Sequence, residues 1–193
     1  MGRLAEDSLN PMEADYSMLI IYSSLALGIS FLCSLLEAVL LSMSLSHVSI
    51  INKSGGKNGA RWSILKQDDS VKPLTAILTL NTVAHTMGAA GVGAEVANIW
   101  GDDKLTIASV ILTLAVLFFS EIIPKTLGSA YWKLLSGPSG VILTGLTKLL
   151  SPFFIPLLWF KRLLPKAETA LVTRDELHAL ADISEEEGEL DED

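Results

Sequence analysis

The chain has 193 residues, half of them apolar, with a mean hydropathy of +0.45 and a formal net charge of −8. Such a composition argues against an ordinary soluble domain and for lipid as part of the solvent. The acidity is local, because half of the 22 acids crowd into residues 168–193 beside a single base, Arg174, and no nucleic-acid partner is expected. One cysteine, Cys33, excludes both an internal disulfide framework and a cysteine zinc site.

Residues 1–15 form a polar leader with Glu6, Asp7, Glu13 and Asp15. The apolar run that follows, from about Tyr16 to Leu45, is too long for a signal-peptide core and is expected to remain as a spanning helix. Its only charge is Glu37. Ser30, Ser34 and Glu37 fall at i, i+4 and i+7, so two hydroxyls and a carboxylate share one helix face. Ser30 is read as bonding back to its own helix, whereas Ser34 and Glu37 are candidate cation ligands. Cys33 is expected to face lipid or to be packed.

Residues 46–73 carry Lys53, Lys57, Arg61, Lys66 and Lys72 around SGGKNG, and HVSIINK and ARWSILKQ read as short amphipathic helices at an interface. This basic loop is expected to be cytosolic, with the N-terminus outside. A second span runs from about Leu74 to Trp100. There Asn81, His85 and Gly88 share a face, and Ala84/Gly88, Ala89/Gly93 and Ala90/Ala94 give the small-residue spacing of close helix contact. Asn81 is a candidate ligand, and His85 is read as a hydrogen-bonded structural residue.

The third span starts near Leu105 and runs into SEIIPKTLG, residues 120–128. Pro124 has no N–H to offer the carbonyl of Ser120, so a kink is expected there, with an oxygen freed beside the intramembrane carboxylate of Glu121. A carboxylate with free backbone oxygens suits a hard cation such as Mg²⁺ or Na⁺, and Zn²⁺ or Cu⁺ poorly. The alternative is a kinked helix whose Glu121 simply pairs with Lys125 at i+4, an arrangement that also neutralises an empty site. From Gly137 to Phe160 the apolar stretch holds Gly137, Pro138, Gly140, Gly145, Pro152 and Pro156, and is expected to be broken into interfacial or re-entrant pieces. A full crossing there would also place Lys161, Arg162 and Lys166 outside, against the charge rule. Beyond Pro165, Thr173 and Glu176 read as a capping box that opens a short cytosolic helix, which runs into the acidic end from Glu185.

SLLEAVLLS, LNTVAHTMGAA and SEIIPKTLG resemble, in order, the three membrane motifs of the DUF21 domain of the CNNM/CorC magnesium transporters, and VTRDELHAL with EEEGELDE resembles the segment that follows it. The resemblance implies an all-α membrane protein with three transmembrane helices per subunit, interfacial or re-entrant juxtamembrane helices and a short cytosolic acidic helical segment. It divides the chain into a leader (1–15), a transmembrane domain (16–165) and the acidic segment (166–193). It further implies a plasma-membrane homodimer with an inward-facing acidic cavity. A largely dehydrated Mg²⁺, with Na⁺ as an alternative occupant or counter-ion, would be held by Ser34, Asn81, Glu121 and backbone oxygens near Gly128. The implied function is Mg²⁺ efflux, with a membrane-anchored Mg²⁺ sensor as the other reading and no enzymatic activity. Members continue into paired CBS modules that bind ATP, which this chain does not reach, so no nucleotide site is expected in it.

Overall fold

A computed structural model describes residues 16–154, apart from the side chains of Asp68 and Asp69; the leader, the capping box at Thr173 and the acidic segment lie outside the described residues. Within them the chain is helical throughout and contains no strand. In chain order the helices are α1 (Ser17–Ser42), α2 (Leu45–Lys53), α3 (Lys57–Leu65) and α4 (Val71–Trp100). A rod follows, made of α5 (Leu105–Ala115), a π-helical stretch (Val116–Ile122) and α6 (Ile123–Ala130), and α7 (Trp132–Leu149) comes last. Two of these segments, Ser17–Ser42 and the rod from Asp102 to Ala130, are long and apolar enough to cross a membrane.

The central helix is α1, which packs on α4, on α6 and on α7. It ends at Met43, whose backbone is extended (ψ 108°), and Ser44 then caps α2 by accepting from the His47 N–H at 3.2 Å. The amphipathic pair α2 and α3 forms where the basic loop predicts it. The apolar core gathers around the second half of α1: Cys33, Leu36, Val39, Leu40 and Met43 meet Val48, Trp62, Leu65, Ile77 and Leu143. Cys33 is thus packed. Lys66 reaches back to the end of α1 and donates to the Leu40 carbonyl at 3.0 Å, and burial pulls its pKa below the usual lysine value.

The α1–α4 pair is antiparallel and close. A methyl group on Gly88 would collide with Ala26, and one on Gly91 would enter the Tyr22 ring, so the small-residue stripe admits α1 at backbone distance. Thr75, Thr79 and Thr82 bond to carbonyls one turn back, at 2.8 Å each, which satisfies these hydroxyls within the helix. Aromatic pairs sit at opposite ends of α1: Tyr16 with Trp100 (5.8 Å) and His47 edge-on to Trp132 (4.8 Å).

Two expectations change. The glycine- and proline-rich stretch from Gly137 is not broken there: α7 is continuous through Gly137, Pro138, Gly140 and Gly145, and ends at Leu150. Its irregular residues serve docking instead, since Gly140 lies against Trp62 and Asn58, and the buried Trp62 indole donates to the Ser136 carbonyl at 2.9 Å. The second change is at Pro124. The helix widens one turn earlier, over Val116–Ile122, and Pro124 then falls in the first turn of α6, where a missing N–H breaks no bond.

Candidate cation site

Three helices bring the predicted residues toward one region. Between α1 and α4 the contacts run in register: Tyr22 meets Gly91, Ala26 meets Gly88, and Ser30 shares a 2.6 Å hydrogen bond with the Nε2 of His85. Stepping one turn along each helix from Ser30 and His85 leads to Ser34 and Asn81. The Ser34 hydroxyl and the Asn81 Oδ1 are both buried, and neither has a hydrogen-bond partner among the described residues. An unpartnered buried oxygen costs about 1–3 kcal/mol, so two on facing turns form a donor set suited to a hard cation.

The rod packs on α1 with its own register. The Ser120 hydroxyl donates to the Leu27 carbonyl at 3.0 Å, and further along Gly128 abuts the Leu35 carbonyl (2.8 Å from the position of a Cβ) and Ala38 (2.7 Å). Only glycine lets α6 come this near α1, at Leu35 and Ala38. The widened stretch carries Ser120 and, beside it, Glu121, which lies between these two contacts in the chain. Lys125, one turn on, places its Nζ 3.3 Å from Glu37 and 3.5 Å from Glu121. The expected i+4 pair is therefore half of a bridge that also ties α6 to α1.

Two cavities flank that bridge. One of about 370 Å³ is lined by Ala26, His85, Ala89, Leu112, Thr113, Val116, Leu117 and Glu121. The other, about 470 Å³, is lined by Glu37, Ala38, Leu41, Ser42, Lys125, Thr126 and Ser129. Glu121 thus faces one cavity, and Glu37 with Lys125 faces the other.

The structure groups Glu37, Lys125 and Glu121 directly, sets Ser34 and Asn81 on facing turns, and packs Gly128 one residue from Ser34. It does not gather three or more His, Cys, Asp or Glu side chains into a metal cluster among the described residues. Ser30 differs from its expected role, since its hydroxyl bonds to His85 on α4 rather than to its own helix. His85 was legible as hydrogen-bonded but not as a cavity wall opposite Glu121. The small residues at Ala84 and Gly88 carried the register that would have found its partner.

Comparison with known proteins agrees with the motifs. Over residues 21–193 the sequence matches the model of the CNNM family, described as the cyclin M transmembrane N-terminal domain. It is 29% identical over 130 residues to a UPF0053 protein of Synechocystis, covering 67% of this chain and 36% of the relative. A UPF0053 protein of Haemophilus influenzae is 29% identical over 137 residues, covering 70% of this chain and 31% of the relative. A UPF0053 inner membrane protein of Escherichia coli is 26% identical over 125 residues, or 64% and 28%. The chain thus matches about a third of the length of each relative. Matched across most of its own length by the transmembrane-domain model and built on long apolar helices, the chain is a membrane protein that belongs to the CNNM family.

Proposed function

We propose that this chain is the ion-handling unit of a magnesium transporter, which exports Mg²⁺ from the cytosol and uses Na⁺ as counter-ion or alternative occupant. The observation that carries the reading is the pair of buried, unpartnered oxygens on Ser34 and Asn81, the latter one turn from His85, which lines the same cavity as the Glu121 carboxylate. Mg²⁺ gives up its water reluctantly and takes only hard oxygen ligands. Ser34, Asn81, Glu121 and backbone oxygens near Gly128 supply that chemistry, with Glu37 a further carboxylate nearby. Thiolate is absent from the set, since Cys33 sits in the apolar core.

In this reading α4 also crosses the membrane, as the second of three spans in chain order. Its 30 residues extend about 45 Å, long enough to cross a membrane. The basic α2–α3 segment then lies on the cytosolic side of a plasma membrane, the N-terminus outside, and two copies associate as a homodimer. The CNNM family is one of membrane transporters and regulators rather than of enzymes, which leaves a Mg²⁺ sensor as the competing reading.

Liposomes reconstituted with the purified chain and loaded with a Mg²⁺-responsive dye decide between them. The expected result is Mg²⁺ flux that depends on the direction of an imposed Na⁺ gradient. Protein that binds Mg²⁺ but moves none under either gradient would overturn transport and favour the sensor.

A further inference from the structure

The bridge at Lys125 has a charge balance that sorts cations by valence. Glu37, on α1, and Glu121, in the widened turn of the rod, each lie within 3.5 Å of one ammonium, and the trio carries a net charge of −1. Fixed charges in apolar surroundings are stable when they sum to zero. A monovalent ion beside the trio completes that sum with Lys125 still in place. A divalent ion overshoots it, to +1, unless the ammonium withdraws. Without Lys125, two carboxylates and one divalent ion are again neutral.

We propose that Lys125 is a tethered cation that sets the valence preference of the carboxylate pair: Na⁺ binds with the bridge intact, and Mg²⁺ binds only as Lys125 leaves Glu121 and Glu37. The inference rests on the reading of these carboxylates as cation ligands and names the competitor that shapes their selectivity. Room for the displaced side chain exists. Lys125 already lines the 470 Å³ cavity, next to Thr126 and Ser129, and its side chain is 44% exposed against 24% for Glu37 and 30% for Glu121. The bridge residues border both cavities, Glu121 lining one and Glu37 with Lys125 the other. A lysine that only held α6 to α1 would not affect the choice between ions.

The test uses the full chain in detergent micelles, titrated with MgCl₂ or NaCl while binding is followed by calorimetry. Removing one positive charge a few ångströms from a partly exposed site changes divalent binding more than monovalent binding. Lys125→Gln is therefore expected to raise the preference for Mg²⁺ over Na⁺ about tenfold or more, and Lys125→Arg, which keeps the charge, to restore the wild-type ratio. An unchanged or reduced preference in a folded Lys125→Gln protein overturns the inference while leaving the cation site standing. Wild-type protein that binds neither ion removes the site itself.

A second measurement needs no variant. Reductive methylation of wild-type protein, mapped by mass spectrometry, is expected to modify Lys125 severalfold faster in saturating Mg²⁺ than in Na⁺ at equal ionic strength. Equal rates in the two salts overturn the inference even if the variant fails to fold.

Discussion

At the scale of single residues, the candidate site was legible where a polar group in an apolar span had nothing local to bond to. Ser34 and Asn81 are such groups, and each has a buried oxygen left over in the folded chain. Their pairing could not be read, because it depends on the α1–α4 register, which Ala26 and Gly88 set by contact. The same is true of Lys125: its i+4 partner Glu121 was visible in sequence, and its other partner, Glu37, belongs to a different helix. The orphaned oxygens make a prediction with two signs. In EDTA, Ser34→Ala should melt at or above the wild-type temperature, since it removes an unpartnered group that costs about 1–3 kcal/mol. In MgCl₂, Ser34→Ala, Asn81→Ala and Glu121→Ala should all lose most of the Mg²⁺-induced gain in melting temperature. Glu95→Ala, on the far part of α4 and outside both cavity linings, should keep that gain. Equal loss in all four variants would mean general destabilisation instead of a site.

At the scale of helices, residue types that usually break a helix turned out to be contact points. The apolar stretch from Gly137 contains enough glycine and proline to suggest fragments, yet α7 runs unbroken because Gly140 admits Trp62 and the Ser136 carbonyl accepts its indole N–H. Local propensity lost to tertiary packing there. On α4 the two kinds of glycine can be separated by experiment. A methyl group at Gly88 runs into Ala26, whereas one at Gly93 meets nothing within 4 Å. Gly88→Ala should therefore force α1 and α4 apart and cost about 1–3 kcal/mol. Gly93→Ala should be neutral or gain up to about 1 kcal/mol from helix propensity. Thermal melts of the two proteins in the same detergent check this, and a Gly88→Ala protein as stable as Gly93→Ala would show that the helices do not meet at that stripe. The shift at Ser30 and His85, one turn along, makes the first outcome carry a further consequence: spreading the helices should also break the 2.6 Å bond between them.

At the scale of the whole molecule, the uneven burial decides what the chain needs around it. Only 6% of the apolar window of the rod is buried, with Ile107, Ile111, Phe118 and Phe119 more than half exposed, so this face has to meet lipid or another protein surface. Composition announced that need, and lysine placement proposed its geometry: two crossings are apolar enough to stand on their own, while the third, α4, is argued from its length and its packing on α1. Topology can be tested directly because the native thiol is silent: Cys33 is fully buried. Single cysteines at Ser54, in the α2–α3 link that precedes α4 in the chain, and at Asp103, in the α4–α5 link that follows it, report on the segments before and after α4. If α4 spans, they lie on opposite sides of the membrane. A membrane-impermeant maleimide added to intact cells should label Asp103→Cys, and should label Ser54→Cys only after the cells are opened. Labelling of both from outside, or of neither, would put the two links on one side, and α4, a continuous helix, would then lie along the membrane instead of crossing it. In that case Asn81 could no longer pass an ion from one side to the other together with Ser34 and Glu121, and transport by this arrangement would fail with the topology.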